Sequence, residues 1–350
     1  MEKDFHYYLT YALAKMTGLD RPDTIAYSSQ FVDDNNEGQF SVDGKETFFP
    51  ERLRANGGYY YPIMTQSLSP KSLDLYVQKY VYVPFHFLPG DNTVTIDGKT
   101  NPLSATPNSD NAKVVLTRAL ESENPYRIGI AIHSFTDTWS HQNFTGLQED
   151  WNAVYPWYNV FKSLVPNIGH AEVGHSPDVI SETWTDHRLE KSKINNKGRA
   201  FEAVEQIFGN LQKKSGKGPS WKDVKDAFEK IIKESNYDKR IKKISDFLGS
   251  SVRMASGEKT IPDYKKDSWI DEALERSENE VKMKTGFDTT DWYYFHQAAK
   301  AQLALVVDLV KGNRKGPQRE GNEKMRRMIR GGTWGSWNGT SLRGNLRAIL

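Results

Sequence analysis

Apolar residues recur at three- and four-residue spacing along residues 5–16, 23–32, 72–82, 110–120 and 126–141, which predicts a succession of amphipathic helices. Gly18 and Pro22 punctuate the first two. The same spacing returns at 201–213, 221–234 and 239–247. It returns again at 292–311, where Ala298, Ala301, Leu303, Leu305, Val306 and Leu309 make a long stripe suited to closing a bundle. Strand signals are sparse. Two Asp-Gly dipeptides, Asp43-Gly44 within residues 40–49 and Asp97-Gly98 within residues 93–99, predict two small β-hairpins. The chain therefore reads as mainly α.

Charge is uneven along this pattern. Residues 186–284 hold 41 Asp, Glu, Lys or Arg among 99 positions, so their helices have broad solvated faces. Three parts follow: a metal-binding helical core over 1–190, a charged helical insertion or lid over 191–290, and a closing helix with a basic tail over 291–350. An ordinary outer helix layer is the alternative for the middle part. The tail, with Arg326, Arg327, Arg330, Gly331 and Gly332, reads as a loosely packed end.

Composition narrows the chemistry. No run approaches eighteen apolar residues, so no transmembrane segment is expected. A net charge of +2 gives no general argument for nucleic acid. The start of the chain lacks a basic flank followed by an apolar run, which predicts a cytoplasmic protein, or one exported without a signal peptide. With no cysteine among 350 residues, any metal must be held by His, Asp and Glu.

The eight histidines are not scattered evenly. In Gly129-Ile-Ala-Ile-His133-Ser-Phe-Thr-Asp137-Thr-Trp-Ser-His141 the polar residues step by four and share one helical stripe. His133 and His141 would lie about 12 Å apart along a regular helix. Two metals with Asp137 between them, or a helix that breaks before His141, would accommodate that spacing. A second cluster, Gly169-His170-Ala-Glu172-Val-Gly174-His175-Ser-Pro177-Asp178, packs four potential ligands into nine residues. Gly174 is the position where a bend would let both histidines face one site, and Asp178 has the alternative role of N-cap for a helix over 179–189. Further candidates are His6, the pair Asp33 and Asp34, and His86 between Phe85 and Phe87. His187 and His296 read as structural. Together these residues predict a helical bundle enclosing a multinuclear metal site, with two small β-hairpins and a charged helical insertion.

The stretch Ala131-Ile-His133-Ser-Phe-Thr-Asp137 through His141-Gln-Asn-Phe-Thr145 resembles the signature helix of the zinc-dependent phospholipases C and the related single-strand-specific zinc nucleases. The spacing departs from that family, which usually has five residues between the Asp and the second His and a Gln-Pro pair; here there are three and no proline. The chain also resembles an uncharacterised bacterial group with an Asp-Phe-His start and a Gly-His-Ala-Glu-Val-Gly-His segment. The resemblance covers roughly residues 1–190. It implies zinc ligands at His6, one of Asp33 and Asp34, His86, His133, Asp137 and His141, then His170 with Glu172, His175 or Asp178. It also implies that Asp33 or Asp34 orients the attacking water.

The implied cofactor is zinc, two or three ions, with manganese or iron as alternatives. The expected function is metal-dependent hydrolysis of phosphoesters, of a phospholipid or nucleotide phosphodiester, by a metal-activated water. The expected partner is a phosphoester small molecule or lipid headgroup; nucleic acid is not indicated by charge. An iron-dependent oxygenase in a similar helical cage and a non-catalytic metal-stabilised effector are the alternatives.

Overall fold

The computed structural model describes residues 1–40, 53–55, 58–90, 96, 98–155, 165–251, 261–277 and 280–312. The chain opens with a π-helical turn, Asp4–Leu9, that runs into α1 (Thr10–Met16), and α2 (Pro22–Asp34) follows. Two three-residue strands, β1 (Leu53–Ala55) and β2 (Gly58–Tyr60), come next. The predicted helix over 72–82 is a composite. A 3₁₀ turn (Pro70–Leu73) leads to α3 (Leu75–Val77), a second π turn (Gln78–Tyr82) and α4 (Val83–Phe85). Then come α5 (Asp110–Glu121) and α6 (Pro125–Ser140). β3 (Thr183–Thr185) and β4 (Lys193–Asn195) form a hairpin ahead of α7 (Asn196–Ser215), α8 (Trp221–Lys233) and α9 (Tyr237–Ser251). α10 (Ser268–Ala273), β5 (Leu274–Arg276), β6 (Val281–Met283) and α11 (Asp291–Lys311) complete the described chain.

The fold is mainly α, as the periodicity predicts, and the β structure is small. Four strands pair in the order β2-β1-β6-β5, with β1 parallel to β6 and the other two pairings antiparallel. The expected hairpin at 40–49 lies outside the described residues. At the other Asp-Gly site, Ile96 and Lys99 exchange both backbone hydrogen bonds at 2.9 Å, while residues 93–95 and Asp97 lie outside the described residues. The helix expected over 179–189 is absent. Thr183-Trp184-Thr185 is extended there and pairs with Lys193–Asn195, because burying the alternate Trp184 against Phe144 suits a strand better than a helix of this β-branched sequence.

α6 is the central element. Asn124 caps it by accepting from the Arg127 N–H, and Pro125 occupies its first turn, where a missing N–H costs nothing. It packs against α2, α5, α7 and α11. Ile130, Ile132, Phe135 and Trp139 are all buried, and each contributes about 1.5–3 kcal/mol. Its closest neighbour is set by Gly129: a Cβ there would collide with the Ile25 carbonyl and lie 2.6 Å from Ser28 Cβ. That approach brings the end of α2, with Asp33, beside His133.

The charged segment 191–290 is not set apart from the rest. Val204, Ile207, Phe208, Phe228, Ile244 and Trp269 belong to the same hydrophobic cluster as Phe5, Leu13 and Phe135. Its polar faces meet solvent and its apolar stripes join the main core. A smaller cluster, including Val81, Phe87, Phe144, Ile168 and Trp184, lies beneath the loops after α6.

Candidate metal centre

Five histidines and three aspartates converge at the middle of the molecule. His6 is presented by the first π turn, Asp33 by the last turn of α2, and His86 by the residue after α4. His133 and Asp137 lie one turn apart on α6, and His141 is its C-cap. The helix thus ends immediately before His141, one of the two arrangements that the spacing allowed. Asp137 also lies between groups, as in the other: Oδ1 is 3.2 Å from His6 Nε2, while Oδ2 is 3.1 Å from His133 Nε2 and 3.3 Å from His86 Nδ1.

Three groupings with ligand atoms close enough to share an ion emerge: His6, His133 and Asp137; Asp33, His86 and His133; and His141, His170 and Asp178. The first two overlap at His133. The third is joined to them through His141, whose Nδ1 is 3.7 Å from Asp137 Oδ2. The Met1 amine also enters the site, donating to Asp137 Oδ1 at 2.6 Å and lying 3.3 Å from Asp178 Oδ1.

Hydrogen bonds fix which imidazole nitrogens carry protons. His86 Nε2 lies 2.9 Å from the Thr65 carbonyl, His141 Nδ1 2.8 Å from the His86 carbonyl, and His170 Nδ1 2.7 Å from the Gly174 carbonyl. A carbonyl only accepts, so each of these nitrogens donates, and in a neutral ring the opposite one presents a lone pair. Those opposite nitrogens face carboxylates: His141 Nε2 is 3.0 Å from Asp178 Oδ1, and His170 Nε2 is 3.4 Å from Asp178 Oδ2. Burial opposes the charged form of His141, but Asp137 and Asp178 outweigh it and raise its pKa. His6 stacks on His133 with ring centres 3.9 Å apart. Neither ring nitrogen of the fully buried His6 has a hydrogen-bond partner, nor does His133 Nδ1.

Charge in the site is polarised. Burial works against ionising Asp137 and Asp178, but the Met1 ammonium and the neighbouring histidines outweigh it and hold both carboxyls well below the usual range. Burial likewise opposes the ammonium; Asp137, Asp178 and Asp33 together push it up to about 11. Burial pushes Asp33 up to about 7, with His133 opposing and Asp137 adding to the rise. His170 is pushed down to about 4, first by burial and further by His141, against Asp178.

Three expected ligands fall outside the groupings. Asp34 points away from Asp33, as successive residues on a helix must, and accepts from Tyr264 Oη at 2.8 Å and Gln30 Nε2 at 3.2 Å. Glu172 Oε2 turns inward and accepts the Val154 and Tyr155 N–H groups at 2.7 and 3.1 Å, a structural role. His175 stands exposed at the rim of the cavity; Gly174, at φ +59°, does bend the chain, but it brings its own carbonyl to His170 and not the second imidazole to the site. Asp178 takes the place that these two leave. His187 is exposed, and His296 is buried with Nδ1 accepting the Ile63 N–H at 3.1 Å, both away from the centre.

A cavity of about 770 Å³ opens onto Asp33, His86, Asp137, His141, His170 and Asp178. Tyr82, Phe87, Pro166, Ile168 and Ala171 are among its wall residues, with Tyr237 reaching it from α9. Phe87 stacks on His141 at 4.6 Å. The pattern of the sequence did not single out Gln30, Gln66, Tyr82 or Tyr237 as site residues, because their proximity is purely tertiary.

Fold and site together define a mainly α protein with a buried His/Asp centre at the base of a cavity. The chain belongs to a family of unknown function, DUF6765, whose model matches residues 1–310. No curated protein and no solved structure matches it.

Proposed function

We propose that this protein is a metal-dependent phosphoester hydrolase. The observation that carries the reading is the set of three imidazoles, His86, His141 and His170, whose outer N–H is committed to a backbone carbonyl while the inner nitrogen faces a carboxylate. In a neutral ring that nitrogen sets a lone pair against the carboxylate, and a divalent cation between them converts each such contact into attraction. The donor set of imidazole and carboxylate suits zinc, with manganese or iron as alternatives. Asp33, His86 and His133 would hold one ion, and His141, His170 and Asp178 a second. His6 would take a third with Asp137, which also reaches the first through its other oxygen.

Bound divalent ions would supply an activated water near neutral pH and charge neutralisation for a phosphoryl group. Asp33 is the member of the acid pair that faces the cavity, and it takes the water-orienting role. Tyr82, Phe87 and Ile168 form a wall that accommodates an apolar substituent. Lys3 is the one Lys or Arg among the described lining residues. A polynucleotide needs a run of cationic groups along its backbone, so the lining favours a single phosphodiester with an apolar part, a phospholipid ahead of a nucleotide. Phospholipase-C-like chemistry agrees with the resemblance of the 131–145 segment.

The test is metal content by mass spectrometry on protein purified without chelator, with hydrolysis of bis(p-nitrophenyl) phosphate measured alongside. Two or three zinc ions per chain and chelator-sensitive hydrolysis are expected. Asp137→Asn should lose at least one ion, while Asp34→Asn should keep the wild-type count. Protein that neither contains metal nor takes up added zinc, manganese or iron would sink the reading. Iron with oxygen consumption would move it to an oxygenase. Full metal without hydrolysis of any phosphoester would leave a metal-stabilised binding protein.

A further inference from the structure

All three leucines that stand exposed among the described residues fall within one nine-residue stretch: Leu68 at 76%, Leu73 at 48% and Leu75 at 41%, followed by Tyr76 at 37%. The other leucine, isoleucine and valine side chains among the described residues are buried or half-buried, so this cluster is not ordinary surface scatter. Its position is specific as well, because Leu68 and Ser72 line the cavity that opens onto the metal centre.

The outward pose of the leucines is built in. Glu37, buried in the 3₁₀ turn after α2, accepts from Ser67 Oγ, from Ser69 Oγ at 3.1 Å and from the Leu68 N–H at 3.2 Å. Tyr82 Oη adds a bond to the Ser67 carbonyl at 2.9 Å. With Ser67 and Ser69 drawn inward, Leu68 between them must point out. Farther along, Gln78 Nε2 donates to the Ser72 and Leu73 carbonyls at 3.3 and 3.1 Å, and Asp74 accepts the Tyr76 N–H at 2.7 Å, capping α3. A backbone held this firmly displays its apolar side chains without further ordering, which reduces the cost of binding.

We infer that residues 68–76 dock the protein on a neutral lipid surface, with the cavity mouth against it. Leu68, Leu73 and Leu75 are spaced by Ser69, Pro70, Lys71, Ser72 and Asp74, and exposed leucines set among small and polar residues suit insertion among lipid headgroups. Charge matches an uncharged surface: over 65–76 Lys71 and Asp74 cancel. Leucine with tyrosine is the side-chain pair suited to the boundary of headgroup and acyl chain. Since no helix among the described residues is long and apolar enough to cross a membrane, the contact is peripheral. The inference rests on the hydrolase reading for what the cavity takes up, but its observation is independent of the metal centre.

Co-sedimentation with phosphatidylcholine vesicles tests it. The wild type should pellet with the vesicles, with or without chelator. Leu73→Ser/Leu75→Ser should lower partitioning about tenfold, at unchanged metal content and unchanged hydrolysis of bis(p-nitrophenyl) phosphate, and adding Leu68→Ser should bring the loss to about 100-fold. Wild-type protein left in the supernatant would overturn the assignment in favour of a protein partner. A strict requirement for anionic lipid, or a triple variant that pellets like the wild type, would also overturn it. Vesicle binding without phosphodiester hydrolysis would sink the hydrolase reading alone.

Discussion

At the level of single residues, chemistry separates positions that the sequence presents as equals. Asp33 and Asp34 are adjacent and identical, yet one faces His86 and His133 and the other is bonded to Tyr264 and Gln30. The rotation of α2 against α6 decides this, and that rotation depends on the close approach at Gly129, which no local pattern announces. The His133–Asp137 step was legible because i and i+4 share a helix face whatever packs against it. His296 illustrates the opposite case, a histidine required to stay neutral. Burial, with Lys300 adding to it, holds its pKa well below the ordinary 6.5. A base with a depressed folded pKa binds its proton more readily in the unfolded chain, so stability falls as pH drops below about 6.5. His296→Gln should remove up to about 1.4 kcal/mol per pH unit of that slope. Thermal denaturation of both proteins between pH 5 and 8 measures the difference, and parallel curves would show that His296 does not contribute.

Among the elements, the helices were readable and their irregularities were not. Both π turns stand next to site histidines, His6 inside Asp4–Leu9 and His86 four residues beyond Gln78–Tyr82. Such turns cluster at functional sites, but apolar spacing near 3.6 does not distinguish them from α-helix. The first is tied down from outside. Arg240, on α9, donates to Asp4 Oδ2 at 2.9 Å and to the Glu234 carbonyl at 3.1 Å, with both members of the ion pair buried. Removing the guanidinium strands a carboxylate that burial already pushes up in pKa, against Arg240. Arg240→Met should therefore cost about 3–5 kcal/mol. It should also loosen His6 and lower metal occupancy by one ion while His141, His170 and Asp178 keep theirs. Denaturant titration with metal analysis checks this; an unchanged ion count would limit Arg240 to a structural role. Segment 179–189, where an N-cap role for Asp178 is the alternative, shows the same from the β side: three residues with alternating burial are too short a signal to outweigh a well-placed proline and acid.

The whole molecule is less divided than its charge pattern. Polar density over 191–290 suggests an appendage, because composition reports the solvated face of a helix and is silent about the buried one. The apolar stripes of α7, α8 and α9 complete the main core, and the family model runs through them to residue 310. Calorimetry should accordingly show one cooperative unfolding transition for the chain; a separate low-temperature transition removed by deleting 191–290 would make that segment an independent unit. The distribution of the candidate ligands has a consequence of another kind. They come from residues 6, 33, 86, 133, 137, 141, 170 and 178, so an ion held by His6 and Asp137 would close a loop of about 130 residues. In polymer terms such an ion is a cross-link that removes conformational freedom from the unfolded chain, much as a disulfide does. A protein without a single cysteine would then have reversible staples, whose number is set by the surrounding metal concentration and not by redox conditions.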